Sequence, residues 1–278
     1  MVTRLRILEM IPGVLAWATL FGMVAFSWLA PLAASFFIIA FDLYWLLKTI
    51  FFSVHIGNSY RRMRDNLRVD WMSRLCEIPD SDWKHLYHLI ILPAYLEPYE
   101  LLRSSLEAIK NSSWPRKQMI VVLGVEERGG EEDFEAARRM EKEYGALFFK
   151  FLVTRHPAGL AGEIPGKGSN AAWAAQEAKV AIDNLGIPYE RIIVSSLDSD
   201  TRVYPDYFAI VAYRYLTEPD PLHASYQPIP VYHNNIWDAP ALSRMVATSD
   251  TFWQMVQQSR PERLETFSSH SMPFRSLV

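Results

Sequence analysis

The stretch Arg191-Ile192-Ile193-Val194-Ser195-Ser196-Leu197-Asp198-Ser199-Asp200 is a short apolar, β-branched run that ends on two aspartates. A run of this length without polar alternation is what a strand covered on both faces requires. Working outward from it, three similar runs precede it. Leu86 to Leu92 ends at Pro93, Met119 to Leu123 is followed by Glu126-Glu127, and Leu147 to Val153 leads to a glycine-rich loop from Ala158 to Gly168. Between the runs lie helical patterns. Glu97 to Asn111 carries Leu101, Leu102, Leu106 and Ile109 on one face and is stopped by Ser112-Ser113-Trp114-Pro115; Glu131 to Tyr144 is a solvated helix, and Asn170 to Asn184 follows the glycine-rich loop. Strands alternating with helices predict an α/β fold with a mostly parallel sheet, whose ligands bind beyond the carboxyl ends of the strands. Pro93 to Glu97, Glu126-Glu127 and Asp198 to Asp200 all follow such ends and are expected to line one crevice.

Asp198 and Asp200 are alternate residues leaving a strand, and their carboxylates suit Mg²⁺ or Mn²⁺. Aspartate ahead of Thr201 and Pro205 also suits a turn or a helix cap. At a strand end in this crevice the metal reading is preferred. Gly166-Lys167-Gly168-Ser169-Asn170-Ala171 fits a dinucleotide fingerprint formally, but about a dozen residues separate it from the strand that such a motif must follow directly. It fails as a P-loop too, since Ala161 and Gly168 stand where Gly and Ser or Thr belong. What remains is a positive loop at a helix N-terminus, suited to a phosphate, or a surface loop capped at Ser169.

Taken together, these segments resemble the family 2 glycosyltransferases, in particular the membrane-anchored members related to cellulose and hyaluronan synthases. The likeness runs from about His88 to Val278 and includes the apolar segment before it. It implies a GT-A fold and metal-dependent, inverting transfer of a sugar from a nucleotide-linked donor, usually UDP-linked, to a polysaccharide or lipid-linked acceptor. Pro93, Ala94, Tyr95 and Glu97 look like the first-strand motif that holds the nucleoside, and Glu126 falls where the family has a base-binding Asp. Lys167 and Asn170 look like the diphosphate-side loop, and Asp198 with Asp200 like the metal motif. The family's later Glu-Asp motif, which supplies the general base, has no match after Asp200. Glu132-Asp133 lies upstream, and Gln257 to Arg260 runs into Pro261 where a Trp belongs. The base is therefore expected beyond Val278, on a chain cut short. Asp238 and Asp250 read as helix starts or exposed faces. The rival reading is a membrane-anchored nucleotide-sugar-binding or scaffold protein without catalysis.

From Ile11 to Phe41 there are 31 residues without a charge, and apolar character resumes after Asp42 to Val54. A bilayer needs about 20 apolar residues per helix, so a two-helix hairpin is expected over 1–55, turning near Leu29 to Leu32 with Pro31 opening the second helix. Arg4 and Arg6 precede it and Arg61, Arg62, Arg64 and Arg68 follow it, so both flanks and the soluble domain are expected in the cytoplasm, whereas a single span ending near Phe41 would put the two flanks on opposite sides. Asp42 is expected to face protein rather than lipid. Ile56, Tyr60, Met63, Leu67, Trp71 and Leu75 form one helical stripe, read as a juxtamembrane helix at the lipid headgroups, with a linker, over 56–84, the alternative being a helix packed on the soluble domain. Residues 85–278 then form the transferase domain.

The 278 residues carry 28 Lys+Arg and 31 Asp+Glu, a net charge of −3, which argues against a nucleic-acid footprint. The single cysteine, Cys76, excludes an intrachain disulfide, and no CxxC or HExxH spacing supports a zinc or redox centre.

Overall fold

The computed structural model describes residues 4–79, 83–234, 236–257 and 269–277. It divides into two compact units, Met1–Arg61 and Arg62–Val278.

The first unit is built from α1 (Arg4–Leu29) and most of α2 (Pro31–Asn66), separated by Ala30 alone, with Pro31 at the first helical position. Both helices are long and apolar enough, by length and composition, to cross a membrane. Their large apolar residues are exposed along the whole length, Trp28 to 88%. The hydroxyls of Thr19, Ser27, Ser35, Thr49 and Ser53 each donate to the carbonyl four residues back at 2.8–2.9 Å, so these polar groups are satisfied inside the helix. Asp42 is exposed on α2. One expectation changes. The stripe from Ile56 to Leu75 is divided, because α2 runs unbroken to Asn66 and a new helix, α3 (Trp71–Cys76), starts after Asp70. Asp70 caps it by accepting from the Ser73 backbone N–H at 2.9 Å and the Ser73 hydroxyl at 2.7 Å, which a continuous helix would forbid.

The second unit continues as β1 (Tyr87–Pro93), α4 (Tyr99–Lys110), β2 (Met119–Glu126), α5 (Gly130–Tyr144), β3 (Lys150–His156), α6 (Lys167–Leu185), β4 (Ile192–Ser196), α7 (Tyr207–Thr217), α8 (Ala241–Gln257) and β5 (His270–Pro273). The sheet order is β3-β2-β1-β4-β5, parallel throughout except for the antiparallel edge strand β5. Successive strand residues point to opposite faces, and both faces are buried. Ile90, Leu92, Val121 and Leu123 pack with Leu102 and Leu106 of α4 and Phe208 of α7. Leu89, Ile91, Ile120 and Val122 pack with Ala174, Ala178 and Ile182 of α6. This double burial is why the strands read as unbroken apolar runs. His88, on the first face, lies between the rings of Trp114 (4.8 Å) and Phe208 (4.9 Å), and burial pushes its pKa down to about 3.

β3 begins at Lys150, three residues later than expected. Phe148 is instead buried in the core within the preceding turn, held by the Phe149 N–H, which lies 3.1 and 3.0 Å from the carbonyls of Arg116 and Met119. The first three strands step outward in one direction, and α6 then carries the chain back across the sheet to β4 on the other side of β1. The reversal leaves a crevice beyond the carboxyl ends of β1 and β4.

Candidate active site

That crevice is a cleft of about 1070 Å³, and all nine residues expected from the sequence line it: Pro93, Ala94, Tyr95, Glu97, Glu126, Lys167, Asn170, Asp198 and Asp200.

The acidic turn is fixed from several sides. The Leu197 N–H donates to the Ile91 carbonyl at 3.0 Å, extending the pairing with β1 by one residue. Ser105 of α4 donates its hydroxyl to the Ser199 carbonyl at 2.7 Å, and the Ser199 hydroxyl donates to Glu97 at 3.0 Å. The Asp198 N–H donates to Ser269 Oγ at 3.2 Å. Asp198 is thereby held half-buried, and Asp200 is exposed at the mouth. Lys167, the first residue of α6, forms an ion pair with Asp198. No cluster of three or more His, Cys, Asp or Glu suited to a metal occurs among the described residues. The acidic turn thus offers two carboxylates and no closed protein cage.

Lys167 follows Gly166, whose φ of +155° disfavours any side chain. The loop ahead of it is tied at two points. Glu127 accepts from the Ala158 N–H at 2.8 Å, and His156 Nε2 meets Glu163 at 2.9 Å. α6 starts three residues earlier than expected and no side chain caps it; Ser169 reaches back to the Ile164 carbonyl at 2.7 Å. Asn170 therefore lies inside the helix. It is 0% exposed, and its amide lies 3.3 Å from the Ala94 carbonyl and 2.9 Å from that of Gly124. The residue braces the ends of β1 and β2 at the floor of the cleft. Gly124 makes the brace possible, since a Cβ there would stand 2.7 Å from Asn170 Oδ1.

Glu126 is only 3% exposed, and both its oxygens accept from Arg128, at 2.5 and 3.1 Å. Arg128 in turn lies 3.9 Å from the centre of the Tyr95 ring, a close cation–π contact. Arg128 lines the cleft and was missed in the sequence, because a charged residue beside two glutamates and two glycines carries no pattern of its own. Next to it, Leu96 takes a left-handed φ of +54° and points its N–H at Asp133 Oδ2, 3.4 Å away. Burial pushes the Asp133 carboxyl up, and a Cβ at Gly129 would stand 2.5 Å from that carboxylate, so a larger residue there would have to displace the Asp133 side chain.

The facing wall is formed by residues 227–234 and α8. Tyr232 donates to Asp250 at 2.7 Å, and its phenol is pushed up to about 12 by burial and by that carboxylate. Asp250 thus lines the cleft rather than an outer face, whereas Asp238 is exposed and lies outside the lining. The Gln257 to Arg260 segment lies outside the described residues after Gln257.

No protein-family model and no curated protein matches the sequence. Among solved structures, similar ones include the mannosyltransferase PcManGT from Pyrobaculum calidifontis in complex with GDP-Man and Mn²⁺, at 15% identity over 81% of this chain with a TM-score of 0.43. S. aureus TarS 1–349 matches at 13% identity over 55% of this chain with a TM-score of 0.34, and mouse xyloside xylosyltransferase 1, apo form, at 15% over 69% with 0.32. The chain spans 55%, 44% and 68% of those three chains, respectively.

Proposed function

We propose that this chain is a membrane-attached, metal-dependent, inverting glycosyltransferase of the family 2 type, taking a UDP-linked sugar and passing it to a polysaccharide or lipid-linked acceptor. The observation that carries this reading is the convergence of four separate segments, each singled out for a donor-binding role, on one cleft at the point where the strand order reverses. The two long apolar helices support attachment to a membrane, and the arginines on both flanks support a cytoplasmic cleft.

In this reading Tyr95 and Arg128 form a flat, cationic platform for the base, with Glu126 fixing the guanidinium. Lys167 and the uncapped start of α6 receive the diphosphate. Asp198 and Asp200 suit Mg²⁺ or Mn²⁺, because such ions are commonly held by one or two carboxylates with the substrate's own phosphates completing the shell. Bound there, the cation would stabilise the charge of the departing nucleoside diphosphate. Ser105, Glu97 and Ser269 keep the acidic turn rigid, so that its carboxylates need no reorganisation on binding. Deprotonation of the acceptor hydroxyl is assigned to no residue of this cleft.

Titration calorimetry of the full chain in detergent with UDP and Mn²⁺ tests the reading. Binding is expected to weaken with chelator and with Asp200→Ala. Binding that ignores both would make Asp198 and Asp200 turn formers only. Radiolabelled sugar transfer by membranes carrying the chain then separates an enzyme from a binding protein. Protease protection of a tag at residue 1 tests the orientation, a protected tag on the cytoplasmic side being expected.

A further inference from the structure

We propose that Lys167 holds the carboxylate a divalent cation would use, so that metal and nucleoside diphosphate bind the cleft weakly when apart and tightly when together. The inference rests on the donor reading above and adds its regulation. Three observations carry it. The Lys167 ammonium is paired with Asp198, one of the two carboxylates of the acidic turn. The second oxygen of Asp198 is 3.4 Å from the Ser269 hydroxyl, so neither oxygen faces the cleft unaccompanied. The side chains of Lys167 and Asp198 are 37% and 35% exposed, so the pair is partly screened and can exchange partners.

A divalent ion arriving alone must displace or approach a lysine charge at its own ligand. A diphosphate arriving alone meets a lysine already neutralised by Asp198, with Asp200 at the same mouth repelling it. When both arrive, Lys167 moves to phosphate oxygens and releases Asp198 to the metal, and each newcomer supplies the counter-charge that the other lacks. Gly166, which permits a backbone path closed to other residues, places Lys167 at the first turn of α6, where the helix's own N–H groups face the same anion. Coupling of this kind is reciprocal: the factor by which nucleotide tightens metal binding equals the factor by which metal tightens nucleotide binding.

The test uses the full chain in detergent micelles, with free Mn²⁺ read by electron paramagnetic resonance, with and without UDP. Lys167→Met is expected to bind Mn²⁺ alone about three- to tenfold more tightly than the unmodified chain, the range set by a partly exposed charge contact. It also loses most of the tightening that UDP produces, while Lys167→Arg keeps both properties of the unmodified chain. Lys167→Gln serves as the second neutral variant, with circular dichroism confirming the fold of each. Mn²⁺ affinity that is unchanged or weaker in both neutral variants overturns the inference. If UDP neither binds nor alters Mn²⁺ affinity in the unmodified chain, the donor reading falls, and the Mn²⁺-only comparison still decides whether Lys167 competes for Asp198.

Discussion

The two walls of the cleft are made differently. The strand-end wall consists of loops anchored to the sheet, and nearly every polar group on it is engaged: Ser199 with Ser105 and Glu97, Glu126 with Arg128, Asn170 with two carbonyls. The facing wall, residues 227–234 and α8, is joined among the described residues by side-chain contacts such as Tyr232 to Asp250, Thr251 to the Pro230 carbonyl at 2.9 Å and Gln227 to the Ser269 carbonyl at 2.9 Å, with no strand pairing along its length. It also leaves Trp237, Leu242, Met245 and Val246 exposed nearby. A wall held by sheet and helix termini before any ligand arrives is suited to a fixed, charged molecule, and this wall carries Arg128, Lys167, Asp198 and Asp200. Charge is concentrated where the donor is proposed to sit.

The largest effect that would break this contrast is on the acidic turn. Asp198→Ala with Asp200→Ala should weaken Mn²⁺-dependent UDP binding by about 100-fold or more, since even the outer partners of metal ligands are worth about 10–100-fold in metal affinity. Calorimetry that finds the double variant within a few-fold of the parent would place the donor elsewhere. Next comes the brace. Asn170→Leu should lower stability by about 1–3 kcal/mol, because it removes the amide donor from the Ala94 carbonyl and one of two donors from that of Gly124, which also accepts from the Ala94 N–H at 2.8 Å. Urea unfolding checks it, and an unchanged midpoint would show that the strand ends do not depend on the amide.

A smaller, pH-dependent effect sharpens the picture of the sheet beneath this wall. His88 has its pKa pushed from 6.5 down to about 3 by burial. The unfolded chain therefore takes up a proton between those values that the folded chain refuses, so stability is full above about pH 6.5 and falls as pH drops toward about 3. His88→Phe should flatten that part of the urea-midpoint profile. The smallest effect belongs to the facing wall: Asp250→Asn and Tyr232→Phe should leave UDP affinity within about twofold, each removing one hydrogen bond of modest net worth. A tenfold loss in either would move the donor across the cleft and erase the difference between the walls.

Most of the strand-end wall was legible in the sequence because its physics is local. An apolar run ending in Pro93, Glu126 or Asp198 announces both the strand and the point where it leaves the sheet, and parallel connection places those points together. Register was less legible. Leu147 to Val153 is apolar throughout, so nothing local says whether Phe148 belongs to the strand or to the turn that packs beneath it. The role of Asn170 was hidden because it depends on Gly124, some forty-six positions away, leaving room for an amide. Edge strand β5, four residues long with Ser271 buried against Ser195 and Tyr207, has too little alternation to be seen without its partners. The facing wall was illegible for the same reason: Asp250 gains its place from the fold of residues 227–234, whose sequence follows neither helical nor strand periodicity.

The parallel register of β1 with β4 pairs Tyr87 with Ile192 and Ile91 with Ser196, roughly a hundred residues apart. β1, β2 and β3 can assemble from neighbours in the chain, but until β4 docks, β1 is itself an open edge with a row of unsatisfied N–H and C=O groups and bare apolar faces. Closing so long a loop is a slow event. The cleft thus comes into being at the same moment that the most association-prone border of the nascent sheet is sealed. A chain stopped before Ile192 would possess most of the donor loops and no cleft, and would be prone to join its exposed strand to another copy.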